Sequence, residues 1–290
     1  MKCYKGFDKD FKCRGLQYEV GQTYEEDTAK ICENGFHYCH SPLDVLDYYP
    51  LIDDDGKLNQ FAEVEPLDEE LTNDGKKFCT RKIKIGAKLS LKGLVKASID
   101  FIFENYKDVK NEAVQASGDY GSTLASNGSF SQLASSGHDS QLASSGYEST
   151  LVSSGSFSKL ASSGNGSQLV SSGSFSQLAS SGGGSQLVSI GYDSKLASSG
   201  GFSKLASSGH SSQLASSGFC SSINSMGEKA VVANIGIYGK AKAKLGSFII
   251  LAEYNEEHEP IAVKSHKVDG KAVKADTWYT LKNGKFTEVV

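Results

Sequence analysis

Between Asp119 and Gly227 the chain has no proline and almost no charge. Only seven of these 109 residues are charged (Asp119, Asp139, Glu148, Lys159, Asp193, Lys195 and Lys204), against 57 in the other 181. With 30 Lys plus Arg, 34 Asp plus Glu and a net charge of −4, no long basic cluster forms, which argues against general nucleic-acid binding. No apolar run reaches the ~18 residues a membrane helix needs, so no membrane partner is expected. Met1 to Gly6 lacks the apolar core of a secretory signal. Six cysteines are too sparse for a disulfide scaffold, so the expectation is reduced thiols in a cytoplasm. Cys13, Cys32, His37, Cys39 and His40 are of zinc-binding types, yet no Cys-x-x-Cys pair exists. They are read as core thiols and ordinary polar histidines, and no metal or cofactor is expected.

What fills the charge-poor tract is a repeat. Leucine recurs every nine residues from Leu124 through Leu133 and Leu142 to Leu214, and Ile223 and Val232 continue the series. Glycine keeps the same interval from Gly128 to Gly236, and serine precedes each leucine by two. Composition alone reads as a flexible linker. Disorder needs no phase, however, and here no residue is inserted or lost over a hundred positions. A fixed short period with one large apolar residue per unit is the signature of a solenoid.

Each unit is read as a strand, Ser-x-Leu-x-Ser, with leucine pointing inward and Thr123 and Ala125 on the opposite face. The flanking serine hydroxyls are expected to bond to one another or to turn backbone. Glycine is expected to supply the freedom of a tight corner. A second period of eighteen shows in Val152, Val170 and Val188, and in Asp139, Phe157, Phe175 and Asp193. Stacked neighbours should match, so one coil holds two strands in a flattened two-sheet roll. Thirteen units make about six and a half coils, roughly 30 Å at ~4.8 Å per strand. The valines form an outward apolar strip suited to a dimer face or to packing against another part of the chain. Phe157, Phe175, Tyr192 and Phe202, beside the corners, are the candidate binding residues of the roll.

The tract resembles the calcium-binding nonapeptide roll, Gly-Gly-x-Gly-x-Asp-x-apolar-x, with Ser140-Gln141-Leu142 in place of Asp-x-apolar. A hydroxyl is a poor substitute for carboxylate at a hard cation, so calcium binding is not expected. The absence of a regular threonine ladder likewise argues against ice binding.

Residues 111–245 are thus a β-solenoid, and 246–290 are its β-hairpin cap, with turns at Asp269-Gly270 and Asn283-Gly284. Residues 1–110 form a small α+β domain, making the whole chain mainly β. Strands are expected at Lys2–Phe7, Gly35–Cys39, Phe61–Glu65 and Lys77–Ile85. A helix capped by Ser41 with Pro42 at its first position, and an amphipathic helix over Ser90–Tyr106, complete the domain.

Tyr4-Lys5-Gly6-Phe7, Cys13-Arg14-Gly15, Gln17-Tyr18, Val20-Gly21, Cys32-x-x-Gly35-Phe36-His37-x-Cys39 and Pro42 to Leu46 together carry a likeness. They resemble an uncharacterised domain found in phage and prophage proteins. The resemblance covers about the first hundred residues and implies a mobile-element origin without an activity. A weaker likeness runs to the ADP-ribosyltransferases, which would cast Tyr4, His37 and Glu65 as the catalytic set. The leading expectation is a non-enzymatic binding or scaffold protein in the bacterial cytoplasm, with a protein partner, a host defence protein among the candidates. Self-association is the second expectation for partners. The alternatives are an NAD-using transferase and a virion fibre or adhesin.

Overall fold

The computed structural model describes residues 2–49, 53, 59–106 and 114–289. The chain divides into two compact units, Met1–Phe101 and Ile102–Val290. Strand occupies 46% of the residues and helix 5%. Among the described residues no helix is long and apolar enough to cross a membrane.

The first unit holds β1 (Cys3–Phe7), the short hairpin of β2 (Lys12–Cys13) and β3 (Leu16–Gln17), β4 (Thr23–Glu25) and β5 (Phe36–Cys39). These are followed by β6 (Gln60–Pro66), β7 (Leu71–Thr72), β8 (Lys77–Thr80), β9 (Lys82–Leu89) and the helix α1 (Leu91–Tyr106). Seven of the strands form one antiparallel sheet in the order β4-β9-β6-β1-β5-β8-β7. Alternation drives it: Cys3 and Phe7, Phe36 and Tyr38, and Ile83 and Ile85 supply one buried face. Leu94, Val95, Ser98 and Ile99 are buried on α1, whereas Lys96, Asp100 and Glu104 are exposed, the amphipathic pattern expected.

Two expectations for this unit need correction. The segment after Ser41 is only a 3₁₀ turn, Asp44–Asp47; Leu43 precedes it without a side-chain cap bond, and the buried Ser41 hydroxyl has no partner. The turn is built on i→i+3 bonds that start at Leu43, Leu46 N to Leu43 O and Tyr48 N to Val45 O, so Ser41 lies outside the capping position. The long strand at 77–85 is interrupted at Arg81, so that β8 and β9 lie in different parts of the sheet.

In the second unit four-residue strands recur every nine residues, from β10 (Val114–Ser117) and β11 (Thr123–Ser126) to β24 (Lys240–Ala243). Even-numbered strands stack in parallel in one sheet and odd-numbered strands in the other. Each residue pairs with the one eighteen later, as Leu151 with Leu169 and Leu160 with Leu178. The solenoid makes about eight turns over residues 114–251, longer than expected. The additions are β10, which has Gln115 at the leucine register, β24, which has Ala241 there, and β25 (Phe248–Tyr254). β25 joins through a coil one residue short, since Val231 pairs with Phe248. Antiparallel strands then close both sheets: β26 (Pro260–Lys267) on β25, and β27 (Tyr279–Lys282) with β28 (Lys285–Glu288) on β24. Asn283 and Gly284 both have positive φ, as the tight hairpin requires. Asp269-Gly270 instead opens an irregular segment, with the Asp269 carboxylate accepting from the amides of Lys271, Ala272 and Val273.

The leucines from Leu133 to Leu214 form one buried column between the sheets. Beside it, most corners carry a hydroxyl relay. Ser171 Oγ donates to Ser176 Oγ (2.8 Å), which donates to the Gly173 carbonyl (2.9 Å), while the Gly173 amide donates back to Ser171 Oγ (3.2 Å). Most buried hydroxyls therefore have partners where the calcium roll would need ions, with Ser198 and Ser225 as exceptions. Ser176→Ala is expected to cost about 1–3 kcal/mol by leaving Ser171 without an acceptor. The exposed Ser163→Ala should stay within ~0.5 kcal/mol. Denaturant titration of the two variants compares them directly, and equal midpoints would remove the relay as a stabilising device.

The corner glycines do not serve the purpose expected of them. Gly155, Gly164 and Gly173 have ordinary φ, and the positive φ falls two residues later on Phe157 (61°), Phe175 (58°), Asp193 (51°) and their equivalents. Glycine is needed for close approach: a Cβ on Gly164 would lie 1.8 Å from the Gly146 carbonyl oxygen of the preceding coil.

The outward faces of the sheets differ. Ala143, Ala161, Ala179 and Ala197 are exposed on the odd-numbered strands, whereas Val152, Val170 and Val188 are at most 2% exposed. The valine strip is therefore covered within the single chain and is not a free dimer face.

Candidate functional site

β1 and β5 are paired at one position only, Tyr4 with Cys39. Where they part, a cavity of about 390 Å³ opens between β1, the β2–β3 hairpin, β5 and the turn ending at Tyr49. Lys5 lies between Cys3 and Phe7 on β1, so alternation carries it into the protein; it is 4% exposed. Its ammonium donates to the His37 carbonyl (2.8 Å) and lies 5.7 Å from the ring centroids of Phe7 and Tyr18. Burial pushes the Lys5 pKa below its ordinary value. Gly6 is required here for space, because a Cβ would meet the Tyr49 side chain at 2.5 Å. Tyr49 in turn donates through its hydroxyl to Cys13 Sγ (2.9 Å).

The rim is built from strained backbone. Arg14 (φ 51°) and Cys32 (φ 65°) both occupy the left-handed region. The Arg14 guanidinium holds the facing loop by donating to the carbonyls of Glu33 (2.9 Å) and Cys32 (3.1 Å). The Glu26 carboxylate accepts from the Gly35 amide (2.7 Å). Lys77 lies 4.3 Å over the Tyr48 ring.

His37 accepts the Cys32 amide on Nε2 (2.8 Å), the bond of a neutral imidazole. Burial first, then the charges of Lys5, Arg14 and Lys77, push its pKa down to about 4. The unfolded chain therefore binds more protons than the folded one between about pH 6.5 and 4, and stability falls across that window as pH drops. Far-ultraviolet circular dichroism during urea titration at several pH values tests this. His37→Gln should flatten the dependence, and an unchanged slope in that variant would refute the assignment.

The residues singled out from sequence are divided among several places. Tyr4 and His37 line the cavity, whereas Glu65 lies in a separate open groove with Lys2, Glu63 and Lys84. The register explains the separation: Tyr4 pairs with Glu63, and Glu65 pairs outward with Lys84. Cys13, Cys32 and Cys39 also line the cavity, while His40 stacks on Phe78 (3.8 Å) and contacts Glu70 (2.7 Å). Among the described residues no group of three His, Cys, Asp or Glu could hold a metal ion. Burial raises the Cys39 thiol well above its ordinary pKa, which keeps it protonated and unreactive.

On the solenoid, Phe157, Phe175 and Tyr192 share one edge and Phe202 lies on the other, with Phe219. Phe157 and Phe175 stack at 5.0 Å and 6°, and Tyr192 stacks on His210 at 5.4 Å and 6°. Each stack covers one face of its rings, and Phe175 meets Tyr192 edge-on (6.1 Å, 69°). Phe157, Phe175 and Tyr192 remain 43–52% exposed.

Residues 1–97 match the family model of a domain of unknown function (DUF7666). The match spans β1 to β9, all the strands around the cavity. No curated protein and no solved structure matches the chain. Lys5, Arg14, Tyr49 and Lys77 were not among the residues singled out as a site. Lys5 had a signal, a lysine between cysteine and phenylalanine at buried strand positions. Tyr49 and Lys77 reach the cavity only through the fold. The β-solenoid is a scaffold that fits a structural or binding role.

Proposed function

We propose that the protein is a non-enzymatic binding protein in which the solenoid is a rigid spacer and interaction surface for the N-terminal domain. The supporting observation is the solenoid interior. Its core is a leucine column flanked by buried serine hydroxyls, while aromatic rings at Phe157, Phe175, Tyr192 and Phe202 remain exposed. Such exposed rings suit a protein partner. The likeness of the first hundred residues to phage and prophage domains supports a mobile-element origin. On that reading the protein acts in the cytoplasm of a bacterial host, with a defence protein as the target to be inhibited.

Affinity capture from expressing bacteria tests the proposal. The expected result is one stoichiometric partner that is lost from a Phe157→Ser/Phe175→Ser double variant of unchanged circular dichroism. Retention of the partner by that variant would refute the aromatic edge as the contact. A stable trimer in solution, with the protein present in purified particles, would instead favour the fibre reading. The transferase reading has less support, because Glu65 lies apart from Tyr4 and His37. Transfer of labelled ADP-ribose that Glu65→Gln abolishes would overturn the non-enzymatic proposal.

A further inference from the structure

The cavity of the N-terminal unit has an unbalanced charge. Lys5 is at its floor and Arg14 and Lys77 are at its rim, and among the described residues none of the three has a carboxylate within ion-pair distance. The lining also carries two acids, so the three cations are in excess: Glu33 pairs with Lys30 (2.7 Å), and Glu26 accepts the Gly35 amide within the cavity wall. A buried ammonium whose partners are the His37 carbonyl and the Cys13 thiol is costly, and a protein relieves that cost by deprotonation or by a counter-ion. Lys5 is also placed as a ligand group would be, because β1 and β5 part beside it and leave a space that no side chain of the described residues fills. The space has the size of small-molecule sites, and the rings of Tyr48 and Tyr49 supply an apolar wall.

We propose that this cavity binds a small organic anion, up to a mononucleotide in size, whose phosphate or carboxylate is held by Lys5, Arg14 and Lys77 and whose flat body lies against Tyr48 and Tyr49. Fixed cations select anions over neutral isosteres, and the Arg14 guanidinium, anchored on the Glu33 and Cys32 carbonyls, adds a permanent positive charge at the rim. Beside burial, the charges of Lys5, Arg14 and Lys77 all disfavour a protonated His37 on the same wall. This inference does not depend on what the solenoid binds.

Isothermal titration of the full chain with AMP, adenosine, inorganic phosphate and benzoate tests it. AMP or benzoate is expected to bind at least tenfold more tightly than adenosine, and which of the two prevails distinguishes phosphate from carboxylate. Lys5→Met should weaken that binding at least tenfold while leaving the melting temperature equal or higher, because it removes a buried charge and keeps the volume. Lys77→Gln, on the rim, should weaken it by a smaller factor and serves if the core variant does not fold. Adenosine binding as tightly as both AMP and benzoate, no binding by any anion, or unchanged affinity in Lys5→Met or in Lys77→Gln would overturn the proposal. A cavity that fails this test leaves the partner-capture result untouched, so the two readings fail separately.

Discussion

A chain lacking residues 152–169 is expected to fold with its cap intact, whereas one lacking only 152–160 is expected to lose most of its solenoid stability. Both deletions rejoin equivalent points of the nine-residue unit, so local turn chemistry is preserved in each. The eighteen-residue deletion removes one coil and returns every later strand to its own sheet, because pairing couples residues eighteen apart. The nine-residue deletion moves every later strand to the opposite sheet. Val170 and Val188 would then leave a covered face for an exposed one, and Ala161 and Ala179 would take positions that need a larger side chain. Each misplaced valine forfeits about 1.5 kcal/mol of burial, with a cavity added where alanine replaces it. The cap suffers as well, since β26 and the β27–β28 hairpin are built for different sheets. Set against a total stability of ~5–15 kcal/mol, these losses are decisive. Thermal melts and limited proteolysis would show it, and identical behaviour of the two deletions would sink the claim that the faces are inequivalent.

Among single substitutions, Gly164→Ala should be one of the most damaging changes in the solenoid. The new methyl would lie 1.8 Å from the Gly146 carbonyl oxygen, and a backbone atom cannot swing aside as a side chain can. Relief requires the two coils to separate, which lengthens ladder bonds on both sheets, including Gln168 N to Ser149 O (2.9 Å) and Lys159 N to Ser140 O (2.8 Å). The expected cost exceeds ~4 kcal/mol, a range reserved for a few mechanisms of which backbone strain is one. Gly183→Ala is the control. Its Cβ would have the Gly201 carbonyl 3.4 Å away as its nearest neighbour, so the loss should stay below about 1 kcal/mol. Chemical denaturation of the pair decides: similar midpoints would show that the coils can give at their corners.

The repeat was legible because solenoid neighbours are near in sequence. A leucine every nine residues and a second period of eighteen state the strand, the inward face and the number of strands per coil. The serines at fixed distance from leucine likewise announced their hydroxyl bonds. Less legible was the reason for glycine. The sequence shows that Gly164 recurs, but only stacked coordinates show a carbonyl where its Cβ would be, and that Phe157 and Phe175 take the positive φ instead.

The N-terminal site was legible only in fragments. Tyr4, His37 and the three cysteines were singled out, and the fold gathers Tyr4, His37, Cys13, Cys32 and Cys39 around one space while sending Glu65 to another. Lys5, Arg14, Tyr49 and Lys77 come from four separated segments, and nothing in their spacing announces that they meet.

The solenoid, its inward column and its eighteen-residue coil are readable from the order of residues alone, because a short period leaves each residue the same neighbours in every turn. Which outward face is covered, and where cations surround an open space, emerges on folding. Both depend on which distant segments come together, and contacts at long sequence separation leave no period to read.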